Sequence, residues 1–243
     1  MRLSTIIIVV LMLAGLVVLC SLGWWQVERL FWKEELLRTV QERVSRQPVP
    51  IDEFLGRELP KDQWSYTPVT VTGTFNHQAE VYYFATGQSG ASGWNVHTPL
   101  EREDGTAVVV NRGFVPFDMK APEKRPEGQV DGLQTVTGLI RVPAVEKPSA
   151  AFENAPEKRE FYWRDLEAMT ALMRSGSGQT FLPLLVEADE TANPGGWPKG
   201  GTTIIKFSNN HLQYAITWFG LAATMLGVGG YFLYSRRKFG ADA

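Results

Sequence analysis

The stretch Ile6–Leu22, IIIVVLMLAGLVVLCSL, carries no charged side chain and decides what kind of protein this is. The charge-free sequence around it runs from Leu3 to Val27. An α-helix rises about 1.5 Å per residue, so about 20 residues cross the ~30 Å hydrocarbon core of a bilayer. A second charge-free stretch, Leu212–Ser235, is also long enough. The sequence therefore predicts two transmembrane helices.

The first apolar stretch has a second interpretation, which is a cleaved signal peptide. Only Arg2 precedes the apolar run, the run is long, and no Ala-X-Ala-like cleavage site follows it. Leu19, which precedes Cys20, is bulkier than a lipoprotein cleavage site requires. We therefore expect an anchor that is not cleaved.

Basic residues near the helix ends predict the orientation. Arg236, Arg237 and Lys238 follow the second helix directly, which favours a cytoplasmic C-terminus. Arg29 and Lys33 beyond the first helix favour the opposite orientation, but long domains cross membranes largely regardless of their charge. Because two spans place both termini on one side, we predict an inner-membrane protein with cytoplasmic termini and a periplasmic main domain.

The sequence between the two spans predicts a β-rich domain. Several stretches are rich in β-branched and aromatic residues and are separated by turn signals. The predicted strands are 66–75, 80–86, 94–100, 106–115, 133–142, 181–189 and 202–207, and helical spacing marks 162–173. Sequential strands with short turns favour an antiparallel meander or small barrel. The predicted fold class is an α+β membrane protein, with two transmembrane helices flanking an extracytoplasmic antiparallel β domain that has one or two short helices.

The boundaries of the predicted segments follow from these patterns. Apolar residues at helical spacing continue past Val27 and stop before Pro48, so the first helix is expected to extend beyond the membrane. The predicted organisation is a transmembrane helix at 3–25, a juxtamembrane helical extension at 26–47, an extracytoplasmic β-rich domain at 48–207, a second transmembrane helix at 209–235 and a cytoplasmic tail at 236–243.

Composition argues against several classes of function. The formal net charge is −2, and segment 48–207 carries 15 Lys and Arg against 21 Asp and Glu, so a nucleic-acid partner is not expected. Cys20 is the only cysteine, which excludes an intramolecular disulfide, a zinc knuckle and covalent c-type haem attachment. No paired acid and base stands out. We therefore expect no catalytic residues and no enzyme activity.

Small residues recur along the second apolar stretch. Gly220, Ala223, Gly227 and Gly230 lie at helical intervals. Small side chains allow transmembrane helices to approach closely, so these residues predict a packing face. Its partner would be the Ala14–Gly15 region of the first helix or another membrane protein.

A histidine opens the second apolar stretch, within NNHLQYAITWFG at 209–220. On a helix His211 shares a face with Tyr214 and Trp218, at i+3 and i+7. One interpretation is an interfacial belt of amphipathic rings. The other is a haem ligand, because a neutral imidazole has a lone pair for iron and Ala215 leaves room for a planar ring. The residues alone leave both interpretations open.

Three segments of the chain stand out as motifs. They are LGWWQVERLFWK at 22–33, GWNVHTPL at 93–100 followed by DGTAVVVNRGFVP at 104–116, and NNHLQYAITWFGLA at 209–222. Together they resemble the SURF1 (Shy1) family of cytochrome c oxidase assembly factors. The segments occur in the family order and span nearly the whole chain. Between 117 and 200 the similarity is poor apart from Gly138–Arg141 and Trp163.

The resemblance implies an assembly factor for haem-copper (cytochrome c) oxidase that binds haem a non-covalently and aids its insertion into the catalytic subunit. His211 would be the axial ligand of the haem iron, beside Tyr214 and Trp218. Trp25 and Arg29 would border the pocket, and Arg29 would pair with a haem propionate.

The alternative is a cofactor-free, membrane-anchored chaperone that scaffolds oxidase subunits. In that interpretation Trp25 and Arg29 belong to an aromatic and basic belt at the lipid surface. The partners implied in either case are oxidase subunit I, other assembly factors and membrane lipid, but not nucleic acid. A second copy of the chain is a further candidate, because either a second copy or the oxidase subunit would complete a haem site that one chain leaves open.

Overall fold

The structure is a computed structural model that describes residues 3–87, 90–143, 146–174, 178–203 and 209–239. Contacts within the chain divide it into a helical unit, formed by residues up to 39 and from 209, and a β unit, formed by residues 40–203. The predicted fold class is confirmed, since along the chain one apolar helix precedes and another follows a small β barrel with short helices.

The helices and strands predicted up to residue 189 occur in the predicted order, together with three short elements, Val49–Pro50, Ile51–Leu55 and Glu160–Phe161, that were not predicted. The helices are α1 (Leu3–Val44), α2 (Ile51–Leu55), α3 (Leu166–Met173) and α4 (His211–Phe239). The strands are β1 (Val49–Pro50), β2 (Pro68–Phe75), β3 (Val81–Thr86), β4 (Ser92–Glu101), β5 (Thr106–Pro116), β6 (Leu133–Arg141), β7 (Glu160–Phe161) and β8 (Thr180–Ala188). In the strand predicted at 202–207, Thr202 and Thr203 are not strand residues, and the remaining positions lie outside the described residues.

Among the described residues, α1 and α4 are both long and apolar enough to cross a membrane. Only 6% of the most apolar window of α1 and 11% of that of α4 is buried by other protein atoms. A helix that is apolar on all sides and unburied by protein requires an apolar solvent. The protein is therefore membrane-anchored.

Five strands of the β unit form a closed ring. The sheet order is β1-β2-β6-β8-β5-β4-β3-β7, and β2 also pairs with β4 through Thr74–Glu101 and Phe75–Leu100. Neighbouring strands of the ring are antiparallel except β5 and β8, which run parallel. The parallel pair arises because the chain crosses over through α3 before β8 begins.

The ring encloses the main hydrophobic core, since alternate residues of each strand face inward. On β5, Val108 and Val110 point into the ring, whereas Ala107 and Val109 face the opposite side and pack with α3. The inner core comprises Ile51, Phe54, Val69, Val71, Leu100, Val108, Val110, Ile140, Leu184 and Val186. Burying an apolar side chain of this size contributes about 1.5–3 kcal/mol each, so this core stabilises the β unit.

The β unit also buries charged side chains that compensate one another. Glu80 and Arg125 are 2% and 3% exposed and form an ion pair, and Arg112, also 2% exposed, lies 3.8 Å from Glu80. Although burial acts in the opposite direction, hydrogen bonds from His77 and Arg125 hold the pKa of Glu80 below its ordinary value. The buried carboxylate therefore stays charged between two guanidinium groups.

The NRG segment of β5 has a structural role. Arg112 donates to the carbonyl oxygen of Gly128 at 2.6 Å and to Asn193 Oδ1 at 3.0 Å. Asn111 Oδ1 accepts from the backbone N–H of Gly113 at 3.1 Å, and Gly113 has a φ of 124° that favours glycine. These contacts hold a distant loop against the end of β5.

Candidate functional site

The candidate site lies between α1 and α4 of the helical unit, which form an antiparallel pair. At one end Arg236 NH1 donates to Thr5 Oγ1 at 3.0 Å. At the other end His211 Nδ1 lies 2.7 Å from Gln26 Oε1. Contacts at both ends fix which residues of the two helices face each other.

The buried face of α4 is formed by three small residues spaced seven apart. Ala215 and Ala222 are 2% and 5% exposed, and Gly229 is also buried. On α1, a Cβ added to Gly23 would lie 2.8 Å from the ring of Phe219, so the helices approach closely there. A seven-residue repeat is typical of left-handed helix pairs, including those in membranes.

The small residues that the sequence predicts as a packing face do not pack against α1, and packing of that face against another membrane protein stays a prediction. Gly220, Ala223, Gly227 and Gly230 are exposed, and nothing lies within 4 Å of a Cβ added to any of the three glycines. Both sets of small residues have helical spacing, so spacing alone does not distinguish them. The face that is buried is the one that also carries His211, four residues before Ala215.

His211 is the first residue of α4, and its side chain is half-buried. Just before the helix, Asn209 Oδ1 accepts a hydrogen bond from the backbone N–H of His211 at 3.4 Å, which satisfies one of the free N–H groups of the first turn.

Gln26 determines which nitrogen of His211 carries the proton. An amide oxygen only accepts hydrogen bonds, so the contact to Gln26 Oε1 makes Nδ1 the donor. The lone pair of the neutral ring then lies on Nε2. Within the described ranges, Nε2 of His211 has no hydrogen-bond partner. The arrangement leaves one imidazole nitrogen able to donate electrons to a metal.

Sequence reasoning missed the role of Gln26. Its side chain is 8% exposed although it lies near the end of a charge-free stretch. A lone amide in an apolar helix costs free energy unless it finds a polar partner, and this requirement was the available signal. Across the helix pair the available partner is His211.

Of the other predicted site residues, only Trp218 accompanies His211 on the buried face of α4. Its side chain is half-buried, seven residues after His211. Tyr214 and Trp25 are 55% and 52% exposed and point away from the packed face. The structure therefore brings His211 and Trp218 to one side of α4 and leaves Tyr214 and Trp25 on the outer surface.

Arg29 and Trp25 have contacts of their own on α1. The Arg29 guanidinium lies over the ring of Trp32, with its Cζ 3.9 Å from the ring centroid. Trp25 lines a shallow surface groove of about 490 Å³ together with Trp24 and Phe219. His211 is not among the residues that line this groove.

The donor set fits a haem better than a bare metal ion. The described residues contain no group of three or more His, Cys, Asp or Glu that would hold a metal ion. A porphyrin supplies its own equatorial nitrogens and needs only an axial donor from the protein. His211, oriented by Gln26, meets that requirement with a single nitrogen.

Comparison with known proteins places the chain in a family. A sequence model of the SURF1 family matches residues 13–223. Surfeit locus protein 1 of Mus musculus is 35% identical over 218 residues, covering 84% of this chain and 68% of the mouse protein. The human protein of that name is 34% identical over 219 residues, covering 84% and 70%. A SURF1-like protein of Monosiga brevicollis is 35% identical over 240 residues, covering 92% and 85%. With matches of this extent, the chain belongs to the SURF1 family.

Proposed function

We propose that this protein binds haem a through His211 and aids its insertion into the catalytic subunit of cytochrome c oxidase. The SURF1 family is a family of cytochrome c oxidase assembly factors, and that role implies interaction with oxidase components. The proposal has three specific elements. The ligand is haem a, the recipient is the catalytic subunit, and the protein lies in the inner membrane with its β unit in the periplasm.

The contact between His211 Nδ1 and Gln26 Oε1 is the observation that carries the proposal. Ligating histidines in metalloproteins usually donate their other ring N–H to an oxygen acceptor, which fixes the tautomer and the ring orientation and makes the ligating nitrogen more basic. Gln26 gives His211 this support before any ligand is bound. The imidazole is therefore preorganised as a donor.

Bound haem a would supply an iron centre whose axial position accepts a nitrogen lone pair. His211 Nε2 would take that position, and Trp218 on the same face would provide an aromatic surface. Tyr214 and Trp25, which are exposed and point away from that face, would shield the ring from water only after their side chains rotate towards it. Coordination by a single protein nitrogen gives weak binding. Weak binding suits a protein that releases its ligand to another protein.

Arg29 would hold a haem propionate. Its guanidinium stacks on Trp32, and no hydrogen bond from it to another described residue is present. A planar guanidinium can stack through its face while its edge binds a carboxylate in a bidentate manner. The stacking therefore orients Arg29 without using the N–H groups that a propionate requires.

The second candidate function is a cofactor-free chaperone, and the same polar pair favours it. A hydrogen bond between two transmembrane helices contributes about 0.6 kcal/mol, so the His211–Gln26 contact also has an ordinary role in holding α1 against α4. In that case His211 stabilises the helix pair, and oxidase subunits are recognised elsewhere.

Haem content of the purified protein separates the two functions. The full chain is co-expressed with the enzymes of haem a synthesis and purified in detergent, and haem a is measured by its absorbance bands and by pyridine haemochrome. The variant His211→Ala is expected to lose haem a because the axial nitrogen is removed. The amount of the variant protein in the membrane fraction and its circular dichroism spectrum are recorded to establish that the helix pair still forms.

Gln213→Ala is the matched control, because Gln213 is an exposed polar residue in the same turn of α4. This variant is expected to keep its haem. Unchanged haem content in His211→Ala would overturn the ligand assignment. If the unmodified protein carries no haem a while His211→Ala still impairs oxidase assembly, the chaperone function is favoured.

A further inference from the structure

A groove in the β unit contains two arginines and does not depend on the haem proposal. Two adjoining cavities of about 400 Å³ each share Tyr83, Arg141 and Arg164 in their walls. Cavities of about 300–1,000 Å³ are typical of ligand sites. Because the same three residues line both cavities, they form one continuous depression, which is called the arginine groove below.

The barrel brings the three residues together from distant parts of the sequence. Tyr83 lies on β3 directly opposite Asn95 of β4, and Arg141 is the last residue of β6. Arg164 lies in the segment that precedes α3, and its Cζ is 4.6 Å from the ring centroid of Tyr83. Tyr83 packs against the same hydrophobic cluster as α3, so the groove lies beside α3 on the face of the sheet that this helix partly covers.

The groove carries more positive than negative charge. Arg164 NH2 donates to Glu187 Oε1 at 3.0 Å, and Thr203 Oγ1 donates to Glu187 Oε2 at 2.6 Å, so both carboxylate oxygens are occupied. Arg141 forms no ion pair with any described residue. Burial lowers the pKa of the neighbouring His97 to about 3, so that ring is neutral. One guanidinium is left to meet an anion.

Both guanidinium groups are oriented by aromatic rings. The Arg141 Cζ lies 4.8 Å from the ring centroid of Tyr66, as Arg164 lies over Tyr83. Tyr66 has a φ of 69°, a left-handed conformation that is strained for a residue other than glycine and often occurs at ligand sites. Its backbone N–H is held by the carbonyl oxygen of Ile140 at 2.8 Å. The strained backbone places Tyr66 where it stacks on Arg141.

The two ends of the groove differ in chemistry. One end is lined by Pro143, Pro148, Tyr162 and Trp163, which offer flat apolar surfaces. The other end is lined by polar side chains that include Asn95, Thr202 and Thr203. Asn95 is 6% exposed, and its Oδ1 has no donor among the described residues. From one end to the other, the groove thus offers an apolar wall, a central cation and hydrogen-bonding groups.

We propose that the arginine groove binds an extended peptide segment that carries a carboxylate beside an aromatic side chain. Arg141 would bind the carboxylate through the edge of its guanidinium, the aromatic side chain would pack against Trp163 and Tyr162, and the polar end would meet the peptide backbone. Arg141 and Trp163 are also among the few residues between 117 and 200 that resemble the SURF1 family. The proposal gives the β unit a binding role of its own.

Peptide binding to the full-length protein in detergent tests the proposal. The probe is a fluorescein-labelled peptide, Ala-Ala-Glu-Phe-Ala-Ala, with its affinity measured by fluorescence anisotropy. Arg141→Gln is expected to weaken binding about tenfold or more, because a charge-assisted hydrogen bond is lost. Arg57→Gln is the matched control, since Arg57 pairs with Glu53 at the exposed surface outside the groove, and it should bind as the unmodified protein does.

Two further arms make the result decisive. A second peptide with Gln in place of Glu should bind about as weakly to the unmodified protein as the acidic peptide binds to Arg141→Gln. Equal affinity for both peptides, or no saturable binding of the acidic peptide below about 1 mM, would overturn the proposal. Displacement of the peptide by 3-phenylpropionate at equal concentration would also overturn it, because the occupant would then be a small aromatic acid.

Discussion

His97 in the β unit and His211 in the helical unit hold their rings in the same way, yet only one of them is available to a ligand. His97 Nδ1 lies 3.2 Å from the carbonyl oxygen of Asn95, and His211 Nδ1 lies 2.7 Å from Gln26 Oε1. In both, Nε2 has no partner among the described residues. His97 is fully buried, however, whereas His211 is half-buried at the start of a helix.

The difference shows that access, rather than hydrogen bonding, separates a structural histidine from a candidate ligand. In the β unit the polar groups near β4 are sealed among other side chains, and the charged ones compensate one another. In the helical unit the His211–Gln26 pair lies at one end of a helix interface built from small and apolar residues, and one lone pair stays open. Three changes test this comparison.

The largest effect on stability is expected from removing one of the buried charges of the β unit. Glu80→Gln leaves Arg125 and Arg112 buried without their carboxylate, which should lower the free energy of unfolding by about 3–5 kcal/mol. Denaturant unfolding of the full chain in detergent, followed by near-ultraviolet circular dichroism, measures this. Glu53→Gln is the control, because its pair with Arg57 is exposed and should contribute at most about 1 kcal/mol. Equal effects of the two changes would contradict the importance of burial.

The second largest effect is expected from changing the His211–Gln26 pair of the helical unit. This prediction rests on the proposed haem role. Gln26→Leu removes the acceptor of His211 Nδ1, which should weaken haem a affinity about 10–100-fold, while Gln26→Glu keeps an acceptor and should retain affinity. Titration of haem a into the detergent-purified variants provides the measurement. If leucine and glutamate behave alike, Gln26 does not orient the ring.

The third effect is the pH dependence of stability that the buried His97 causes. The pKa of His97 is about 3 in the folded protein because burial disfavours its charged form, against 6.5 ordinarily. The unfolded chain therefore gains a proton that the folded chain does not, and stability falls as pH drops below about 6.5. Between pH 7 and pH 5 this residue should account for a loss of about 2 kcal/mol.

The variant His97→Leu should lack that part of the pH slope while remaining folded at pH 8. Val96→Ala serves as control, because it weakens the same buried strand without changing a titrating group, so its curve should lie lower but run parallel to that of the unmodified protein. Unfolding free energies measured at several pH values give both slopes. Identical slopes for His97→Leu and the unmodified protein would show that the buried ring takes up a proton.

The order and type of the elements were predictable because their signals are local. Charge-free length identified α1 and α4, and alternating β-branched residues identified the strands of the barrel. The start of α3 was less accurate. Helical spacing begins at Tyr162, but the helix begins at Leu166, because the Asp165 side chain accepts from the backbone N–H of Ala168 and caps it there.

What the sequence did not reveal depends on partners far apart in the chain. The parallel pairing of β5 with β8 depends on a crossover that strand patterns do not record. The face of α4 that packs against α1 was not predicted, because two sets of small residues have helical spacing and only contacts with the other helix, such as that of His211 with Gln26, distinguish them. His211 itself was identifiable from its motif, but the nitrogen left free could not be known without that contact.

The ends of the β sheet are short, and this limits how the β unit can meet another chain. The sheet begins with β1 and ends with β7, each only two residues long. β1 and β7 therefore each offer few unpaired backbone N–H and C=O groups, so a strand of another chain can form few hydrogen bonds with either of them. Addition of a foreign strand at β1 or β7 is therefore disfavoured, which protects these two ends of the sheet from edge-to-edge aggregation.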